Sequence, residues 1–173
     1  MNETIMAPLK IAVIGAGVRG TGLARKIAES GFSAEIIAVA EPDDEKRNDF
    51  AEEFRLPESV LFKSWVDLTS NLGECDAAII ATLDNQHTGP ALASLNRGWH
   101  ILIEKPLADS YEDCLLIDKT REEKNRVVAV CHTLRFMNGF SHLKQILDSG
   151  VIGQLVHIDH FEAIGHLRFV HNY

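Results

Sequence analysis

Cysteine is scarce and no apolar run is long, and each of these absences removes a class of protein. The three cysteines of the 173 residues, Cys75, Cys114 and Cys131, are far apart and odd in number. They draw neither a disulfide framework nor a C-x-x-C metal knuckle, and buried free thiols are the expectation. No stretch reaches the ~20 apolar residues of a membrane span, and the first ten residues lack a basic start followed by an apolar core. The expectation is a cytoplasmic protein with no membrane partner. An excess of cations is missing too. A formal net charge of −8 argues against nucleic acid, whose binding depends on lysines and arginines that displace counterions. What remains, 46% hydrophobic and 24% charged residues without long like-charge blocks, is the composition of a folded domain.

Val- and Ile-rich runs alternate with longer amphipathic segments, the pattern of parallel strands joined by crossover helices. Strands are predicted over 10–14, 35–41, 60–62, 77–81, 100–104 and 127–130, and helices over 21–29, 44–54, 90–97 and 111–123. Gly31 and Gly98 stand where helices should stop, and Ser110 where one should start. The fold class is therefore α/β: a Rossmann-type, doubly wound, mainly parallel sheet with helices on both faces. After Cys131 the rhythm changes to a helix over 140–147, a turn at Ser149-Gly150 and a strand over 155–161. The expected division is a dinucleotide-binding domain over 1–133 and, over 134–173, the start of a second α/β domain for substrate and oligomerisation.

The first strand runs into Gly15-Ala16-Gly17-Val18-Arg19-Gly20, a G-x-G-x-x-G pattern between strand and helix. Gly15 makes the tight turn, Gly17 lets backbone approach a pyrophosphate, and Gly20 permits close packing of helix on strand. The helix N-terminus adds unpaired N–H groups and positive partial charge. Glu41, 21 residues beyond Gly20 at the end of the second strand, supplies a carboxylate for the adenosine ribose and repels a 2′-phosphate. NAD is therefore expected ahead of NADP.

Ligands collect beyond the carboxyl ends of strands in such sheets. Two later strand ends carry suggestive residues: Thr82-Leu83-Asp84-Asn85-Gln86-His87, and Glu104-Lys105-Pro106. Together with the glycine turn, Glu41, Cys131 to Phe136 and Ser149 to Gly153, these motifs resemble the glucose-fructose oxidoreductase, inositol dehydrogenase and MocA-like oxidoreductase family along essentially the whole chain. The resemblance implies a nicotinamide cofactor and oxidation of a hydroxyl on a sugar, polyol or related small molecule. It places Lys105 beside nicotinamide and substrate as the catalytic residue. Around the cofactor it sets Gly15, Ala16, Gly17, Val18, Arg19, Gly20, Glu41, Thr82, Leu83, His87, Glu104 and Arg135. Pro106 would fix the backbone, in some relatives through a cis peptide.

Family members continue into a larger α/β domain, so this chain resembles their cofactor half, cut soon after that domain begins. A lone strand over 155–161 would be disordered, fold back or pair with another copy, and a homo-oligomer is expected. His157, His160, His166 and His171 crowd this tail without metal-ligand spacing, so no metal is expected. In the family architecture His171 or Tyr173 would approach the substrate, although Leu167 and Arg168 depart from the usual residues. Two alternatives accompany the dehydrogenase reading: an NAD-dependent glycosidase that oxidises its sugar transiently, with which Arg19 is compatible, and a catalytically silent dinucleotide-binding module.

Overall fold

Alternating burial along the first strand organises the structure, a computed structural model that describes residues 7–163. In β1 (Leu9–Ile14), Ile11 and Val13 enter one apolar cluster while Ala12 and Ile14 enter another, because successive side chains leave opposite faces of a strand. Both sets are buried, so the strand needs a helical layer on each side. Helices α1 (Val18–Glu29) and α2 (Asp44–Phe54) cover the first face, with Ala24 and Phe50 fully buried against Val13, Val39 and Ile79. Helices α3 (Trp65–Asn71), α4 (Thr88–Asn96) and α5 (Tyr111–Lys124) cover the other through Leu68, Leu95 and Ile117. Each such aliphatic side chain contributes about 1.5–3 kcal/mol on burial.

The remaining strands are β2 (Ala34–Ala40), β3 (Leu61–Phe62), β4 (Ala77–Ile80), β5 (His100–Ile103) and β6 (Val128–Val130). All neighbours are parallel, in the order β3-β2-β1-β4-β5-β6. The chain winds outward from β1 to β3, then returns to place β4 on the other side of β1. The carboxyl ends of β1 and β4 therefore flank the crevice in which such sheets bind ligands.

The expected α/β architecture is present, with local differences. Helix α1 begins at Val18 rather than residue 21, so half of the glycine motif lies inside the helix. Helix α3 is additional to the expected elements; Ser64 caps it, its side chain accepting from the Asp67 N–H. Gly31 and Gly98 take the left-handed conformation expected of them, at φ 75° and 79°. Arg55 and Asn125 do the same after α2 and α5, at φ 55° and 50°.

The chain divides between His132 and Thr133 into two compact units. In the second, a 3-10 turn (Thr133–Phe136) precedes α6 (Asn138–Asp148), and Phe140 meets the His160 ring with centroids 6.0 Å apart. The strand predicted over 155–161 is not formed. These residues carry no regular structure and are exposed, and the described residues of this unit contain no other strand to complete a ladder. His157 and His160 lie beside Asp159 and Glu162, at 3.1 and 3.9 Å. His166, His171 and Tyr173 fall outside the described residues.

Candidate functional site

Backbone crowding dictates two of the three motif glycines. Gly15 has φ 94°, and a Cβ there would stand 2.5 Å from the Ala81 carbonyl oxygen at the end of β4. A Cβ on Gly20 would stand 1.8 Å from the Gly15 carbonyl oxygen and 3.4 Å from the Ala81 side chain, so the helix presses on the turn itself. Gly17 differs, because a Cβ there would meet nothing within 4 Å. Its smallness serves no contact inside the unit, which leaves the open side of the turn as the place where it matters.

That open side suits an anion. Gly17 is the N-cap of α1, makes no side-chain capping bond, and is followed by a first turn without an acidic residue. The opening N–H groups of a helix have no acceptor of their own and carry positive partial charge. Helices α2, α3 and α5 instead receive side-chain caps from Asp43, Ser64 and Ser110. Val18, at the start of α1, and Leu83, in the loop after β4, stand 92% and 69% exposed, apolar surfaces suited to flat rings. The turn's open face, its uncapped amides and these exposed side chains therefore fit a dinucleotide.

Glu41 follows β2 and is only 8% exposed. Its Oε2 accepts the Ala16 N–H at 2.8 Å and its Oε1 the Asp43 N–H at 3.1 Å. The carboxylate thus braces the glycine turn, a bond the motif spacing did not announce, while each oxygen keeps capacity for a ribose hydroxyl. Arg47, buried in α2, holds the Glu41 carbonyl at 2.6 Å through Nη1 and pairs with Asp44 through Nη2. Both bonds engage this guanidinium close to Glu41.

At the end of β5, Glu104 is 6% exposed and its Oε1 accepts from Arg19 through both Nε, at 2.9 Å, and Nη2. This ion pair ties the glycine turn to β5, 85 residues away in sequence. The other carboxylate oxygen accepts the Lys105 N–H at 3.3 Å. Lys105 itself is exposed, and the Lys105–Pro106 peptide is cis. Thr82 turns its hydroxyl to the Gln86 carbonyl at 3.3 Å, while His87 is buried against Pro106. The first unit thus brings together Gly15 to Gly20, Glu41, Thr82, Leu83, His87, Glu104 and Lys105 at the carboxyl ends of its strands. Arg135 lies in the second unit, exposed, with its carbonyl accepting from Ser141 at 3.2 Å.

Burial pushes the Cys131 thiol up to about 11, and the nearby Glu104 charge adds to the shift. Cys75 is likewise pushed to about 11 by burial. Among the described residues no group of three His, Cys, Asp or Glu could hold a metal, and no helix is long and apolar enough to cross a membrane.

The parallel sheet and the glycine turn beside β4 define a Rossmann-type dinucleotide-binding unit. Residues 9–132 match the profile of the GFO/IDH/MocA oxidoreductase family with its NAD-binding Rossmann fold, and the chain belongs to that family. It is 33% identical over 158 residues to an inositol 2-dehydrogenase of Saccharopolyspora erythraea, across 90% of this chain and 46% of that protein. A myo-inositol 2-dehydrogenase structure from Lactobacillus plantarum superposes with a TM-score of 0.78 at 21% identity, over 86% of this chain and 43% of the other. The WlbA dehydrogenase of Bordetella pertussis, in complex with NADH and UDP-GlcNAcA, gives a TM-score of 0.78 at 22% identity, over 86% and 42%. The chain spans less than half the length of these relatives.

Proposed function

We propose that this chain supplies the cofactor half of an NAD-dependent oxidoreductase that oxidises a secondary hydroxyl of a polyol or sugar, working as a homo-oligomer in the cytoplasm. The observation that carries the reading is the convergence of the open glycine turn, Glu41 and Glu104-Lys105 on one edge of a parallel sheet. Bound NAD would supply the hydride acceptor. The amides of Val18, Arg19 and Gly20 would hold its pyrophosphate across the open face of Gly17, and Glu41 would accept from the adenosine ribose. The carboxylate also sets like charge against a 2′-phosphate, which favours NAD over NADP.

Oxidation of a carbinol removes a hydride from carbon and a proton from oxygen. Lys105 Nζ serves the second departure, by hydrogen-bonding the oxygen as negative charge develops or by passing its proton on. The relatives' names point to inositol as the first substrate to try.

The test is NADH formation from NAD and myo-inositol by the enzyme in which this cofactor half meets its substrate half, in wild-type form and as Lys105→Ala. The expected loss is about 10²–10⁴-fold in turnover, with NAD affinity within about threefold of wild type. Retained turnover in Lys105→Ala would remove the lysine from catalysis. Conversion of a glycoside without net NADH would instead indicate transient oxidation.

A further inference from the structure

A histidine following a strand at the mouth of a ligand crevice would ordinarily present a ring nitrogen to the ligand. His87 does the opposite: at the start of α4 its ring is 0% exposed. Nδ1 lies 2.6 Å from the carbonyl oxygen of Pro106, which arrives from the loop after β5. A carbonyl can only accept, so Nδ1 carries a hydrogen and donates it. In the neutral ring Nε2 is then a lone-pair acceptor, and it is buried with no hydrogen-bond partner in the structure.

Leaving a buried polar atom unpaired costs roughly 1–3 kcal/mol. A leucine would occupy similar space without that cost, so packing does not account for an imidazole here. The bond to Pro106 is what the imidazole adds. Lys105 consequently sits between two anchored neighbours. Glu104 is held by Arg19 from the glycine turn, and Pro106 is held by His87 from α4.

We propose that His87 is a positioning residue for Lys105. By fixing the carbonyl of Pro106, the residue after the lysine, it sets the direction in which Nζ is presented to the substrate hydroxyl, without touching cofactor or substrate. The inference rests on the reading of Lys105 given above. It replaces the expectation of a direct cofactor contact by His87 with an action through the backbone.

The experiment uses the 173-residue chain, with NAD as the probe, and needs no turnover. Lys105 acetylation by acetic anhydride is followed by mass spectrometry with and without saturating NAD, and NAD affinity is measured by calorimetry. Wild type should show about tenfold protection of Lys105 by NAD. His87→Gln, whose amide reaches the place of Nε2 rather than Nδ1, should lose most of that protection while binding NAD within about threefold of wild type, since misplacement by ~1 Å is enough to undo a close approach. His87→Asn, which restores an N–H at the place of Nδ1, should recover it.

Equal protection in wild type and His87→Gln would overturn the positioning role and leave the Lys105 reading intact. Loss of NAD affinity in step with protection would return His87 to the cofactor contacts. No protection in NAD-bound wild type would overturn the Lys105 reading, and this proposal with it. Should His87→Gln fail to fold, the ¹⁵N spectrum of the wild-type ring decides, a hydrogen on Nδ1 alone supporting the proposal and one on Nε2 alone overturning it.

Discussion

The ends of β2 and β5 each carry a buried glutamate, Glu41 at 8% and Glu104 at 6% exposure, and both reach the glycine turn. Glu41 is balanced by two backbone N–H groups, those of Ala16 and Asp43. Glu104 is balanced by a full cation, Arg19, whose side chain is 56% exposed, with a single N–H, that of Lys105, on its other oxygen. The difference teaches that burial and residue type do not fix a carboxylate's role. A carboxylate held by amides braces a rigid turn, whereas one held by a half-exposed arginine forms a tie that can be exchanged.

The strongest way to break this comparison is to remove the turn that both carboxylates hold. Gly20→Ala would force a Cβ to within 1.8 Å of the Gly15 carbonyl oxygen, and a loss above about 4 kcal/mol is expected in urea unfolding. Next comes the amide-held side. Glu41→Ala strands the Ala16 and Asp43 N–H groups, at about 2–4 kcal/mol by the same measurement. NAD affinity alone therefore does not report the ribose contact of Glu41. The ratio of NADP to NAD affinity in Glu41→Ser does, and it should rise.

At the end of β5 the effects should be smaller and asymmetric. Arg19→Leu leaves Glu104 buried without its cation, at about 1–2 kcal/mol. Glu104→Gln leaves an arginine free to hydrate and should cost less than about 1 kcal/mol. Equal costs, measured in paired unfolding curves, would contradict this asymmetry between the buried carboxylate and its half-exposed arginine.

The smallest effect sharpens the comparison through Cys131. Its thiol is raised to about 11 by burial first and by the Glu104 charge second, so at about pH 8.5 its alkylation by iodoacetamide should run ~100-fold slower than that of an unfolded thiol. A thiol raised in the folded state stabilises the fold fully below the unfolded value of 9.0, and this contribution fades as pH rises from there through about 11. Glu104→Gln should speed alkylation of Cys131 and leave Cys75, raised by burial foremost, unchanged.

Much of this was legible where structure is local. The glycine turn sits between a strand and a helix because its residues satisfy both neighbours, and the strand predicted over 77–81 is present as β4, Ala77–Ile80. Helix α3 leaves no mark in the sequence because its seven residues bury only Leu68 and Thr69, too short a stretch for periodicity to show. The pattern over 155–161 was strand-like, but a strand exists only where a ladder partner does, and sequence alternation says nothing of the partner. The ties that position the site, Arg19 to Glu104 and His87 to Pro106, join residues 85 and 19 positions apart. No spacing rule reaches such pairs. Glu41 shows the intermediate case, its place readable and its bond to Ala16 not.

The most direct measurement of the central claim uses Gly17, because its Cβ would meet nothing within 4 Å of the chain itself. Calorimetric titration of NAD into wild type and Gly17→Val, with melting temperatures recorded beside it, separates fold from ligand. A dinucleotide lying across the turn predicts binding in wild type, at least about tenfold weaker binding in the variant, and melting temperatures within about 2–4 °C of each other. Equal NAD affinity in the two proteins, or no binding by wild type, would contradict it.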